Sequence, residues 1–236
     1  MSGLIEAASA IMSAAERRIS IAASNVSNIS TPGYKRRSAF LELSSSPSRT
    51  GDVSAAVASR PVFDQGKLIP TGNRFDIALS DRALFAVRTG DRLLYTRYGQ
   101  FHRDASGTIV TPQGYALQQA GGGDLVLDSD TVTIGPDGTV LDGERPVARI
   151  AIVELDEGAP AMEPVGDSYF AAPQAAMRDV AAPSLHAGMI EASNVSMGDE
   201  MLASMSAIRD AERGARLAQT YDDLMGRVMT VLGQMR

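Results

Sequence analysis

Two histidines, His102 and His186, are all the imidazole this chain of 236 residues has, and it has no cysteine at all. Acid–base or nucleophilic catalysis needs a base within reach of the proton it moves and a further group that orients it. His102 falls in a strand-rich stretch and His186 in a connector, so both read as ordinary histidines, and no enzyme activity or catalytic residue is expected. The run "GGGD", Gly121 to Asp124, lacks the Lys-Ser/Thr of a phosphate loop and the strand-to-helix setting that turns amides toward phosphate, so it reads as a turn. Asp128 and Asp130 alternate as on a strand, but an oxygen-ligand cation site draws more donors from one defined loop, and a solvated strand face is the simpler reading. Without thiolates there is neither a disulfide framework nor a thiolate zinc site. No metal, cofactor or small-molecule substrate is expected.

Asparagine is more informative. Asn25, Asn28 and Asn194 each begin an Asn-X-Ser triplet, the glycosylation pattern, yet each stands where a helical pattern begins or ends. There, asparagine and serine have a sufficient role in satisfying backbone groups. Two of them belong to a repeat, because "ASNVS" occupies Ala23 to Ser27 and again Ala192 to Ser196. Six methionines lie between Met197 and Met235, on or beside an apolar stripe. A flexible thioether suits a surface that must fit irregular neighbours, and a core stripe and a partner-facing stripe coincide when a helix is buried between subunits.

These residues sit at the joints between two long helical patterns and a β region. Apolar side chains at Leu4, Ala8, Ile11, Ala15, Ile19, Ala22, Val26 and Ile29 recur at three and four residues and predict an amphipathic helix. It fades near Ser24, ahead of "STPGYKRR", where Pro32 removes a donor and Gly33 admits positive φ. A second long helix is predicted from Met201, Met205, Ile208, Ala211, Ala215, Ala218, Met225, Val228, Leu232 and Met235. Its start is marked by Ser196 with Asp199 three residues later. Between the two, period-two runs at 75–79, 84–88, 93–97, 108–110, 115–118, 125–127, 132–134 and 148–155, separated by turns such as "GPDGT", predict an antiparallel β region built from hairpins. The fold class is α+β. The expected organisation is an N-terminal helix and turn over 1–37, an extended connector over 38–70, a central β domain over 71–170, a connector over 171–190 and a C-terminal helix over 191–236. The piece from about Phe63 to Tyr169 is the expected protease-resistant core.

The formal charge is −6. Residues 1–37 run the other way, with five bases (Arg17, Arg18, Lys35, Arg36, Arg37) against Glu6 and Glu16, a local +3. The only basic run is Lys35-Arg36-Arg37 without interleaved aromatics, so no nucleic-acid partner is expected. No stretch reaches the ~20 apolar residues of a membrane span, and the start of the sequence lacks the basic and apolar regions of a cleaved signal peptide.

Read together, "AASNVSNISTPGYKRR" (Ala22 to Arg37) and "IEASNVSMGDEMLASMSAIRDAERGARLAQTYDDLMGRVMTVL" (Ile190 to Leu232) resemble the terminal signatures of bacterial flagellar axial proteins, the rod and hook subunits. Asn25, Asn28, Thr31, Pro32, Gly33 and Tyr34 stand in the family's order, as do Ser193, Asn194, Val195, Glu200, Met201, Arg209 and Glu212. Ala211 departs from the aromatic residue usual before that glutamate, which bears on packing at that turn. Thr71 to Leu117 resembles the family's β domain, so the resemblance covers nearly the whole chain. The length and the short link from Pro32-Gly33-Tyr34 to Thr71-Gly72 resemble the proximal rod members more than the distal ones.

The resemblance implies a structural subunit of the hollow, torque-transmitting rod of the flagellar basal body. It would lie in the periplasm, be exported by the flagellar type III apparatus without signal cleavage, and be partnered by other rod proteins and by copies of itself in a helical tube. It also implies that the terminal helices pair as a coiled-coil-like stem running toward the lumen. Leu4, Ile11, Ala15, Ile19, Met201, Met205, Ile208, Ala215, Met225 and Leu232 would then be assembly positions. Asn25, Asn28, Thr31, Pro32, Gly33, Tyr34 and Asn194 would form the turn that aims the β domain outward. A distal rod or hook-type member, or an adhesin-like secreted structural protein, is the alternative.

Overall fold

The three- and four-residue apolar spacing forms two helices, α1 at Gly3–Ser27 and α2 at Met197–Gln234. The structure is a computed structural model and describes residues 3–45, 53–80, 82–129, 131–166 and 168–234. It divides into two units: Met1–Ser27, Arg37–Arg60 and Ser196–Arg236 in the first, Asn28–Arg36 and Pro61–Val195 in the second. Ser196 caps α2, its Oγ accepting the Asp199 amide at 3.4 Å and its carbonyl the Glu200 amide at 3.1 Å. Asp199 and Glu200 in the first turn suit the positive end of the helix dipole.

In the first unit the two helices touch along small residues. Ala8, Ala15 and Ala22 on α1 are buried at intervals of seven, and so are Ala207 and Gly214 on α2. Gly214 is so near α1 that a Cβ there would lie 2.8 Å from Met12 Cγ and 3.1 Å from the Ala8 carbonyl oxygen. Arg18 Nη1 donates to Asp210 Oδ2 at 2.8 Å. Residue 8 beside 214 and residue 18 beside 210 make the pair antiparallel. The large residues at the start of the predicted α2 stripe do not make this contact, since Met201, Met205 and Ile208 are exposed, while its alanines Ala211, Ala215 and Ala218 are half-buried. At 3.6 residues per turn Met201, Met205 and Ile208 stand about 110° to 170° around the helix from the line of Ala207 and Gly214. Helix separation is set by the side chains at the contact, and only alanine and glycine allow one this close. The same unit holds strand β1 (Arg37–Ser45), which pairs with β2 (Val53–Pro61) in a two-stranded sheet.

The second unit contains sixteen further strands among the described residues. They are β3 (Leu68–Pro70), β4 (Ile77–Leu79), β5 (Leu84–Thr89), β6 (Arg92–Thr96), β7 (His102–Arg103), β8 (Ile109–Val110), β9 (Ala116–Leu117), β10 (Thr133–Ile134), β11 (Thr139–Asp142), β12 (Arg145–Arg149), β13 (Ile152–Leu155), β14 (Glu163–Pro164), β15 (Tyr169–Ala171), β16 (Met177–Asp179), β17 (Leu185–Ala187) and β18 (Met189–Glu191). The largest sheet runs β14-β15-β6-β5-β9-β8-β7, with β13 joining β5 to β16. β10-β11-β12 form a three-stranded sheet, while β17 pairs β4 and β18 pairs β3; every pairing in the unit is antiparallel.

Several elements depart from the sequence expectation. The 38–70 stretch, expected as an extended connector, contains β1, β2 and β3, and the 171–190 stretch contains β16, β17 and most of β18. Such serine- and alanine-rich segments bring little core of their own, but every non-proline residue brings a backbone donor and acceptor, and pairing needs only those. "LVL" (Leu125 to Leu127) forms no strand; Leu125 and Leu127 are buried, and Val126 makes an isolated bridge to Thr108. The run Ala148 to Leu155 breaks at Ile150–Ala151 into β12 and β13.

β5 explains why its own sequence reads as continuously apolar. Phe85 and Val87 enter one core cluster with Leu94, Phe101 and Leu117, and Leu84 and Ala86 enter another with Tyr95, Val153 and Phe170. Both faces of this strand are covered, so alternation is lost. Tyr169 is buried at the end of the first cluster, 5.0 Å from the Tyr115 ring, and its hydroxyl donates to Gln113 Oε1 at 2.8 Å. Burial pushes its phenol up to about 12. An unfolded tyrosine ionises near ~10, so the unfolded chain loses this proton first and folding stability declines as pH rises from about 10 to about 12. The expected loss over that window is on the order of 2 kcal/mol in chemical denaturation, and Tyr169→Phe should blunt it. An equal loss in the Phe variant would place its origin elsewhere.

Candidate functional site

The two copies of "ASNVS" hold consecutive peptide groups of one segment. In the first unit, Asn25 is fully buried on the last turn of α1. Its Oδ1 accepts the Arg37 amide at 2.8 Å and its Nδ2 donates to the Arg37 carbonyl at 2.9 Å. In the second unit, Asn194 Oδ1 accepts the Arg36 amide at 2.7 Å, while its Nδ2 donates to the carbonyls of Val62 and Asp64 at 2.8 and 2.9 Å. The role expected from the sequence is helix-end capping. The observed partners belong to extended chain, because a carboxamide presents one acceptor and a pair of donors and so stands in for a peptide group.

Between the two asparagines the chain turns tightly. Thr31 donates from its amide to the Asn28 carbonyl at 3.1 Å and from its hydroxyl to Asn28 Oδ1 at 3.2 Å. Pro32 and Gly33 follow, and the Gly33 amide donates to the Glu191 carbonyl at 2.8 Å. Gly33 has φ +67°, and a Cβ on it would lie 2.3 to 2.4 Å from the backbone of Arg97 and Tyr98. Glycine is required twice here, by the left-handed conformation and by the close approach. Tyr34 is buried beside it.

Sequence reasoning missed an ionic cluster of the second unit beside this turn. Lys35, Arg97 and Glu191 are almost completely buried. Glu191 Oε1 accepts from Lys35 Nζ at 2.6 Å and from the Gly66 amide at 2.8 Å, and Oε2 accepts from Arg97 Nε at 2.7 Å. Lys35 Nζ also donates to the Asp64 carbonyl at 2.8 Å; Arg97 reaches the carbonyls of Leu79 at 2.9 Å and Ala83 at 2.5 Å. Burial pushes the Lys35 ammonium below its ordinary value, and Glu191 restores part of the shift. In the sequence Lys35 reads only as part of a basic run. The available signal is position, since it directly follows the "TPGY" motif and Glu191 directly precedes the second "ASNVS".

The other candidates are dispersed. His102 is exposed on β7, and His186 on β17 lies 3.1 Å from Ser80 Oγ through Nε2. Gly121, Gly122 and Gly123 form a turn whose Asp124 is paired with Arg88 and Gln118, and Arg88 holds that carboxyl below the usual range. Asp128 is exposed, and Asp130 lies outside the described residues. Among the described residues no group of three or more acidic or histidine side chains is placed to hold a metal ion, and no helix is long and apolar enough to cross a membrane. Of the ten assembly positions, Ala15 is buried in the helix contact and Ile19, Ala215 and Met225 are half-buried. Leu4, Ile11, Met201, Met205 and Ile208 are exposed; the side chain of Leu232 lies outside the described residues.

Residues 1–35, which are α1 and the turn through Lys35, match the family of flagella basal body rod proteins, and residues 78–141 match the flagellar hook protein FlgE/F/G D1 domain. The chain is 29% identical to the flagellar basal-body rod protein FlgF of Caulobacter vibrioides over 92% of this chain and 93% of that one. The matched models and this relative are flagellar rod and hook proteins, which the chain resembles. FlgF of Escherichia coli is also 29% identical, over 90% and 91% of the two chains, and FlgG of Bacillus subtilis is 24% identical over 89% and 91%. The first match ends on Lys35 and the second includes Arg97, so two of the three charges of the cluster lie in the matched segments and Glu191 lies outside both.

Proposed function

We propose that this chain is a structural subunit of the proximal rod of the flagellar basal body, polymerising through its terminal helices into a hollow shaft that transmits motor torque. It is not an enzyme. The observation that carries the assembly mode is the division of labour along α2. Ala207 and Gly214 close the contact with α1, while Met201, Met205 and Ile208 remain exposed on another face. Burial of such side chains is worth about 1.5 to 3 kcal/mol each, and a helix that leaves a row of them in water has that much to gain from a neighbour. The seven-residue spacing of the small residues supports a coiled-coil-like stem within the chain. The exposed row, with Leu4 and Ile11 on α1, supplies the faces that meet other rod proteins and further copies of this subunit.

In this reading, the segments 1–37 and 191–236 are the axial part and 71–170 the outward β domain. The turn of Asn25, Asn28, Thr31, Pro32, Gly33, Tyr34 and Asn194 sets the chain's exit from one to the other. The rod lies in the periplasm, and its subunit reaches it through the flagellar type III export apparatus.

Ile208→Asp tests this most cleanly, because Ile208 does not line the contact with α1. The variant should fold like the parent by circular dichroism and lose incorporation into basal bodies and swimming. A buried, unpaired carboxylate costs several kcal/mol or must neutralise itself. Ile11→Asp should also lose assembly, with some loss of helix stability, since Ile11 Cγ2 lies close to Gly214. An Ile208→Asp chain that assembles and supports swimming would remove the exposed row as an interface. Cross-linking with mass spectrometry of purified basal bodies would place the subunit, and contacts confined to the distal shaft would replace the proximal assignment with the distal one.

A further inference from the structure

The chain has eleven methionines, no cysteine and no tryptophan, so an oxidant that attacks soft side chains meets thioethers first. Their exposure is unequal. Met197, Met201 and Met205 recur every four residues along one side of α2 and are 43%, 56% and 52% exposed. Met162 is 6% exposed in the second core cluster, and Met12 is half-buried with its Cγ against Gly214. Ile208 continues the methionine row, and Leu202 flanks it. The three thioethers therefore lie on the face left open by the helix contact, whereas Met162 lies in the core of the second unit and Met12 is half-buried at the helix contact.

We propose that Met197, Met201 and Met205 form a reversible oxidation site that switches this face of α2 from apolar to polar. Hydrogen peroxide is the oxidant class. Each thioether sulfur gives an electron pair to one peroxide oxygen, the O–O bond breaks, a sulfoxide S–O bond forms, and the peroxide leaves as water. A thiol-dependent sulfoxide reductase reverses the change. The sulfoxide is a strong hydrogen-bond acceptor, and three of them one turn apart turn a surface suited to apolar packing into one that holds water. The consequence for assembly rests on the reading of this face as a subunit contact; the selectivity of oxidation does not.

Peptide mass spectrometry of the folded full-length chain during exposure to hydrogen peroxide tests the site. Met197, Met201 and Met205 should gain oxygen at least about tenfold faster than Met12 and Met162, as exposure governs susceptibility. Similar rates at all five would overturn the site. In cells lacking the parent chain, the Met197→Gln/Met201→Gln/Met205→Gln variant, whose polarity imitates the sulfoxide, should lose swimming, and swimming at the parental level would overturn the switch. Purified chain oxidised at these positions should lose incorporation, and treatment with the reductase should restore it. If Ile208→Asp abolishes assembly while the triple Gln variant and the oxidised chain assemble normally, the switch fails and the interface stands. If Ile208→Asp also assembles normally, the interface fails first, and the selective oxidation stands or falls on the peptide rates.

Discussion

Glu191→Ala should destabilise the chain by about 3 to 5 kcal/mol, the usual result of removing one partner from a buried ion pair. The variant leaves the Lys35 ammonium and the Arg97 guanidinium in the interior with no anion between them, and it strips the Gly66 amide of its acceptor. The remaining bonds to the carbonyls of Asp64, Leu79 and Ala83 satisfy donors and do not neutralise charge. Since whole domains are stable by only about 5 to 15 kcal/mol, this loss is a large share of the total. Urea unfolding of the full chain is the measurement. Glu191→Gln, which keeps the shape and some acceptor capacity, should lose less than the Ala variant. Arg178→Ala gives the scale for an exposed pair: Arg178 lies 2.7 Å from Glu154 with its side chain half in water, and its removal should cost no more than about 1 kcal/mol. If Glu191→Ala proved as mild as Arg178→Ala, the buried charges would have to be compensated by something other than Glu191.

The same cluster shows where reading the sequence stops. The two helices and the antiparallel character of the centre were legible because a local period of 3.6 or 2 repeats over many residues. Ser196 was legible because a cap acts within one turn. The cluster of Lys35, Arg97 and Glu191 has no period and no local signal, since three charges far apart in the chain meet only after the β strands between them have paired. The sequence-based core from Phe63 to Tyr169 illustrates the consequence. That piece contains Arg97 and omits both Lys35 and Glu191, so it would bury a guanidinium without its carboxylate. The helix contact is misread for another reason. Hydrophobic spacing gives weight to the largest side chains and points to Met201, Met205 and Ile208, whereas a close approach selects the smallest and uses Ala8, Ala15, Ala22, Ala207 and Gly214. Ala211, the departure from the family's usual aromatic residue, is half-buried on that side of α2, where another small residue fits the same close spacing.

Gly33→Val should be as damaging as the loss of Glu191, for reasons that can be separated. The first is conformational: a β-branched residue held at φ +67° carries strain of about 1 to 3 kcal/mol. The second is steric, because the first carbon of any side chain would sit 2.3 Å from the Arg97 carbonyl carbon and 2.4 Å from the Tyr98 nitrogen. Both obstacles are backbone and cannot swing aside as a side-chain tip would. Relief requires moving the 32–34 turn away, which stretches the bond from the Gly33 amide to the Glu191 carbonyl, or moving residues 97–98, which pulls the Arg97 guanidinium off Glu191. Either route opens the charged cluster, so the cost appears in the folding of the unit itself and the isolated chain should show it. Gly72 provides the control, with φ +74° and nothing within 4 Å of the place a Cβ would occupy. Gly72→Ala should lose only the conformational part, about 1 kcal/mol, and Gly33→Ala should lose several times as much by urea unfolding. Equal losses at the two positions would mean that the close approach to Arg97 contributes nothing, and the left-handed turn alone would then account for the glycine.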